Sequence, residues 1–101
     1  GKKQVGAMKE EEIDEMANNL AILMRDAVNQ DNQANLEGKP ALSKLMLVDR
    51  ITKELRNLSV QEKFLDIGGI SMLGRWLEPL PDRTYPNLNV VKEILNTLNS
   101  L

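Results

Sequence analysis

The sequence predicts an all-α fold: a bundle of about five helices with HEAT-like, α-solenoid character. Three observations carry that prediction. Apolar residues recur at steps of three and four along most of the chain, β-branched alternation is scarce, and Gly, Pro and Asn punctuate the periodic segments. Helix pairs joined by short turns are the arrangement that stacks into right-handed α-solenoids. With 101 residues, one domain can bury roughly 60 to 70% of its unfolded surface without a staple. The domain is expected over residues 8–101, behind a flexible tail at 1–7.

The first helix is expected from Met8 into the Gln30 to Gln33 region, with Ile13, Met16, Leu20, Leu23, Met24, Ala27 and Val28 on one face. Glu10, Glu11, Glu12, Asp14 and Glu15 crowd its start, where carboxylates favour the positive end of the helix dipole. Gly38 and Pro40 then stop it and turn the chain. A second helix follows from about Ala41 to Asn57. Its core is read as Leu42, Leu45, Val48, Ile51, Leu55 and Leu58, and Met46 and Leu47 widen the stripe enough to suggest packing on more than one side.

Ser59 and Glu62 have capping-box spacing, so a short third helix is expected from Ser59 to about Ile67. Gly68 and Gly69 break it, and Ile70, Leu73, Trp76 and Leu77 mark a fourth. Three prolines between Glu78 and Pro86 stiffen the next loop. Asn87 or Asn89 can cap the last helix, whose stripe is read as Leu88, Val91, Ile94, Leu95, Leu98 and Leu101. That stripe reaches the final residue without a polar taper, so it is expected to pack back on the body or to meet further helices. The opening at Gly1 without an initiator Met likewise suggests a processed segment.

Composition excludes much chemistry. The chain has no Cys and no His, which removes thiolate and imidazole nucleophiles, zinc sites of the usual kind and disulfides. No catalytic residue, cofactor or metal is expected. Asp49 with Lys53, and Glu62 with Asp66, sit at helical spacing that ordinary surface charges adopt. Lys and Arg total 13 against 15 Asp and Glu, so direct nucleic-acid binding is not expected. No apolar run reaches the ~20 residues that span a bilayer, so no membrane partner is expected. Arg75 and Trp76 are of the residue types that anchor interfaces, although a lone Trp can equally plug the core with its N–H on a carbonyl.

Three segments resemble the TFIIS N-terminal domain family, also called the LW domain. They are Lys39 to Leu47 (KPALSKLML), Phe64 to Gly69 (FLDIGG) and Trp76 to Asp82 (WLEPLPD). Trp76, Leu77, Pro79, Leu80, Pro81 and Asp82 form the most specific part, and within the family the pattern is most similar to the conserved core of the Spn/Iws elongation factors. The resemblance covers about residues 8–101 and implies the amino-terminal part of that core, a right-handed superhelical bundle in which further helices follow the position of Leu101. It implies a nuclear, non-enzymatic adaptor that binds a disordered amino-terminal segment of the Spt-six histone chaperone and joins it indirectly to elongating RNA polymerase II.

The resemblance also implies a peptide pocket at the turn between the second and third helices, here Leu55, Arg56, Asn57 and Leu58, with its opposite wall in a loop beyond this chain. Arg56 stands where related peptide-binding domains carry an acidic residue. A rival reading makes Lys39, Lys44, Arg50, Lys53 and Arg56 a basic strip for DNA or histones, interrupted by Asp49 and Glu54.

Overall fold

The computed structural model describes residues 9–101 and contains five helices and no strand among them: α1 (Glu10–Leu36), α2 (Ser43–Glu54), α3 (Leu58–Asp66), α4 (Gly69–Arg75) and α5 (Leu88–Asn99). The expected tail at 1–7 and the helix start at Met8 lie outside the described residues. α1 is the spine, about 40 Å long at 1.5 Å per residue, and α2, α3 and α4 pack along it while α5 packs on α2 and α4. The core is Ala17, Leu20, Met24, Ala27 and Val28 of α1, met by Val48, Ile51, Leu55, Val60, Phe64, Leu73, Trp76, Val90 and Ile94.

α1 has no side-chain cap, but Glu10, Glu11 and Glu12 fill its first turn and complement the dipole there. It runs to Leu36 rather than ending near Gln33, because its stop is set by Gly38, at φ +71°, and not by the fading of its apolar stripe. Lys39 N–H then closes back on the Ala34 carbonyl at 2.8 Å, satisfying one of the orphan carbonyls of the last turn.

α2 begins two residues later than its pattern suggests, for a tertiary reason. Asp31, buried on α1, accepts from the backbone N–H of Ser43 at 2.7 Å and of Lys44 at 3.1 Å. The helix is therefore capped in trans, by a carboxylate twelve residues upstream, in the manner of an N-cap side chain. Lys44 returns its ammonium to the same carboxylate at 3.1 Å, with both side chains almost fully buried.

The second helix is narrower inward than its sequence implies. Met46 lies two residues from Val48, about 160° around the helix at 3.6 residues per turn, and is 82% exposed. Leu42, just before α2, and Leu58, the first residue of α3 because α2 ends at Glu54 and not at Asn57, are also exposed. The expected packing on two sides is present, with α1 and α5 as neighbours.

Asn57, not Ser59, starts α3: its Oδ1 accepts from Ser59 N–H at 3.0 Å and Val60 N–H at 3.2 Å. The cap therefore forms two residues earlier than the Ser59–Glu62 spacing indicates, and Glu62 stays on the surface. Gly68 ends α3 at φ +97°, a conformation only glycine adopts cheaply. Gly69 serves close approach instead, since a Cβ there would strike the Phe64 ring and its carbonyl.

α4 buries Leu73 and leads into the fully buried Trp76, while Ile70 faces out. The 78–86 loop is pinned at its tip. Asp82 N–H donates to Asn35 Oδ1 at 3.0 Å, and Thr84 donates to the Asp82 carboxylate from both its N–H and its hydroxyl. Asn87 caps α5 through Asn89 N–H at 2.8 Å.

The inward face of α5 is offset from the expected stripe but shares Ile94 and the partly buried Leu98 with it. Val90, Ile94 and Thr97 point inward, whereas Leu88, Leu95 and Leu101 are exposed. Thr97 is tolerated inside because its hydroxyl donates to the Glu93 carbonyl at 2.9 Å, as buried hydroxyls require.

Candidate functional site: a groove at the α2–α3 turn

The turn from α2 to α3 is built tightly. Leu55 N–H reaches the Ile51 carbonyl, Arg56 N–H the Lys53 carbonyl and Asn57 N–H the Glu54 carbonyl. Gln61 then donates from Nε2 to the Leu55 carbonyl at 3.0 Å, tying the first turn of α3 back to the end of α2. These bonds fix the side chains of Leu55, Arg56 and Leu58 on a rigid frame rather than on a mobile loop.

Between this turn and α5 lies a groove of about 500 Å³, bordered on the turn side by Leu55, Arg56, Leu58 and Gln61 and on the α5 side by Glu93, Asn96, Thr97 and Ser100. Leu55 is buried at its floor, and Leu58, 71% exposed, stands on its rim. Arg56 joins none of the ion pairs found among the described residues. The groove thus offers an apolar floor and lip, one cation, one carboxylate, and amides and hydroxyls able to meet a peptide backbone.

Three of the four residues singled out at this turn line the groove. Asn57 does not; it builds the turn as the α3 cap. The α5 side of the groove was missed. Among the described residues α5 faces the turn, and the loop expected opposite it belongs to sequence beyond Leu101. The spacing Val90, Ile94, Thr97 holds the only sequence signal for the α5 side, because it sets which side of α5 turns inward.

The basic strip is interrupted, although Lys39, Arg50, Lys53 and Arg56 are exposed. Lys44 is buried against Asp31, Arg50 is held by Glu54 at 2.7 Å, and Lys39 pairs with Glu37. Only Lys53 and Arg56 of the five carry an exposed charge outside those ion pairs.

Trp76 and the residues after it are scaffold rather than site. The indole N–H donates to the Met24 carbonyl at 3.0 Å, so the side chain plugs the core. Leu77 and Leu80 are half-buried, and Pro79, Pro81 and Asp82 shape the pinned loop.

No cluster of three or more metal-ligating side chains exists among the described residues, and no described helix is long and apolar enough to cross a membrane. Two carboxyls are shifted, both at the surface. The Thr84 hydroxyl and N–H, then Asn35, hold Asp82 below the usual carboxylate range, and hydrogen bonds from Gln33 and Lys39 do the same for Glu37. Neither faces the groove.

A rigid helix turn opposite a second helix, with an apolar floor and a polar rim, is the architecture of a module that docks an extended or helical segment of a partner. The relatives are more specific. The chain is 40% identical over 88 residues to Protein IWS1 homolog 2 of Arabidopsis thaliana, covering 87% of this chain and 21% of that protein. It is 34% identical over 85 residues to Transcription factor IWS1 of Yarrowia lipolytica, covering 84% of this chain and 20% of that protein.

Among solved structures it matches a chain of a Spt6–Iws1(Spn1) complex from Encephalitozoon cuniculi with a TM-score of 0.84 and 37% identity, over 88% of this chain and 65% of that one. No family model matches. The chain is therefore a homologue of a segment of the IWS1 (Spn1) transcription factors, and it spans about a fifth of the length of these two curated relatives.

Proposed function

We propose that this chain is a protein-binding module of a nuclear transcription elongation factor, that it works without enzymatic activity, and that the groove between the α2–α3 turn and α5 receives a disordered amino-terminal segment of the Spt6 histone chaperone. Through that segment it would couple the chaperone to elongating RNA polymerase II. The observation that carries the reading is a coincidence of place. The turn that the family resemblance marks, Leu55 to Leu58, opens in the structure onto the groove of about 500 Å³, and the solved structure it matches is itself a complex with Spt6.

The chemistry fits a peptide. A disordered segment that orders on binding is held by one or two apolar anchors, with its backbone met by polar groups on a rigid frame. Leu55 and Leu58 offer the anchor contact. Arg56 selects for a carboxylate in the peptide, and Glu93 across the groove disfavours a second one. The ordering cost of a disordered partner keeps the affinity moderate.

The test is a fluorescence-anisotropy titration of the chain with a labelled peptide from the Spt6 amino-terminal region. Saturable binding that Leu58→Asp weakens at least about tenfold, a loss of ~1.4 kcal/mol, supports the reading. Binding unaffected by Leu58→Asp places the peptide elsewhere, and no saturable binding removes the function proposed for this segment.

A further inference from the structure

A second surface lies on the other side of α2. Between α1 and α2 runs an apolar groove of about 320 Å³, with Leu23, Ala27, Met46 and Leu47 along it. Its far end is closed by the hydroxyl of Ser43, which donates to Gln30 Oε1 at 2.9 Å and so bridges the two helices. Met46, 82% exposed, lies over the groove as a flexible, polarizable lip, the kind of side chain that adapts to an incoming apolar group.

A separate, shallower hollow lies towards the amino end of α1, bordered by Glu12, Glu15, Met16 and Asn19. At about 100° per residue these four share one arc of roughly 120° with Leu23, Asp26, Ala27 and Gln30. The two hollows therefore lie along one stripe. From Glu12 to Gln30 it measures about 27 Å at 1.5 Å per residue, the length of about five helical turns.

The charge along this stripe has one sign. Glu12, Glu15 and Asp26 fall within the arc, and no Lys or Arg does. Asp26 is partly neutralised by Arg25, which reaches it at 3.2 Å from outside the arc. On the α2 side Arg50 follows Leu47, but Glu54 already holds its guanidinium at 2.7 Å.

We infer that this α1–α2 stripe is a second docking surface, separate from the groove at the α2–α3 turn, and that its occupant is a basic amphipathic helix of a partner protein. Apolar side chains of that helix would sit between Leu23 and Met46, and its Lys or Arg heads would meet Glu12 and Glu15. Helix-in-groove binding uses this pairing of an apolar stripe with a charged rim, and complementary charge guides the encounter and fixes its orientation. A second copy of this chain is a poor occupant, because its own stripe carries the same negative charge.

The test uses two labelled 18-residue peptides with Leu at identical helical positions, one filled with Lys and one with Glu, each titrated into the 15N-labelled chain at ~150 mM salt. The proposal expects saturable binding of the Lys peptide alone, with shifts at Leu23, Ala27, Met46 and Leu47. Met46→Lys, and separately the pair Glu12→Lys with Glu15→Lys, should each weaken it about tenfold or more, while Leu58→Asp leaves it unchanged. All of these positions except Leu23, Ala27 and Leu47 are exposed, and melting curves of the variants check that the fold is kept. Equal binding of the Glu peptide, an unchanged affinity in Met46→Lys, shifts confined to the α2–α3 turn and α5, or self-association that Met46→Lys abolishes would each overturn it.

Discussion

The indole N–H of Trp76 donates to the main-chain carbonyl of Met24 at 3.0 Å, joining residues 52 positions apart. Met24 is at the middle of the α1 spine, so this bond fixes the end of α4 against the centre of the longest helix. Trp76→Ala should cost about 3 to 5 kcal/mol through the cavity it leaves, a large share of the stability of a small domain. Trp76→Phe should cost less and should separate packing from the hydrogen bond. Urea denaturation of the two variants checks both expectations.

Asp31 does two jobs, capping α2 and neutralising Lys44. Removing one member of a buried pair strands the other, and Asp31→Ala should cost about 3 to 5 kcal/mol. Lys44→Met should be milder, because Asp31 keeps its two backbone donors. Equal losses in the two variants would show that the ion pair, and not the cap, dominates.

The glycines of α4 should behave oppositely. Gly69→Ala drives a methyl group into Phe64 and should destabilise by about 1 to 3 kcal/mol, as overpacking does. Gly74 has open space where its Cβ would go, and Gly74→Ala should stabilise by up to about 1 kcal/mol through helix propensity. Thermal melts of both variants read the difference.

Asp82 makes the loop clamp sensitive to acid. Its folded pKa lies below the ordinary value, held there first by the Thr84 hydroxyl. A depressed carboxyl contributes stability that is fully present above the unfolded pKa of about 3.9. That contribution is lost as the pH falls through the folded value. Asp82→Ala should therefore be less stable than the parent at neutral pH, and the gap should shrink below about pH 3.9. Denaturation midpoints across that range test the sign.

Helices were legible in the sequence because their stripes are local, and Gly38, Gly68 and the Pro-rich loop mark the breaks. Where a boundary depends on a distant residue it was not. The start of α2 is set by Asp31 on α1, and a short capping signal cannot reveal a partner twelve residues away. Asn57 outcompeted Ser59 for the α3 cap, a choice between two good capping residues that depends on how α2 ends.

The inward side of α5 was half legible: Ile94 and Leu98 of the expected stripe pack inward, but Leu88 and Leu95 are more apolar than Thr97 yet face out. The site shows the same division. Leu55, Arg56 and Leu58 came from the pocket that the family resemblance implies, whereas Glu93, Asn96, Thr97 and Ser100 entered the groove only through the packing of α5 on α2.

The central claim is that a chaperone peptide lies between the α2–α3 turn and α5, and an amide shift map of the 15N-labelled chain with a peptide from the Spt6 amino-terminal region tests it most directly. The account predicts saturating shifts at Leu55, Arg56, Leu58, Thr97 and Ser100 that Arg56→Glu diminishes. Saturating shifts that avoid those five amides, or that Arg56→Glu leaves intact, would contradict it.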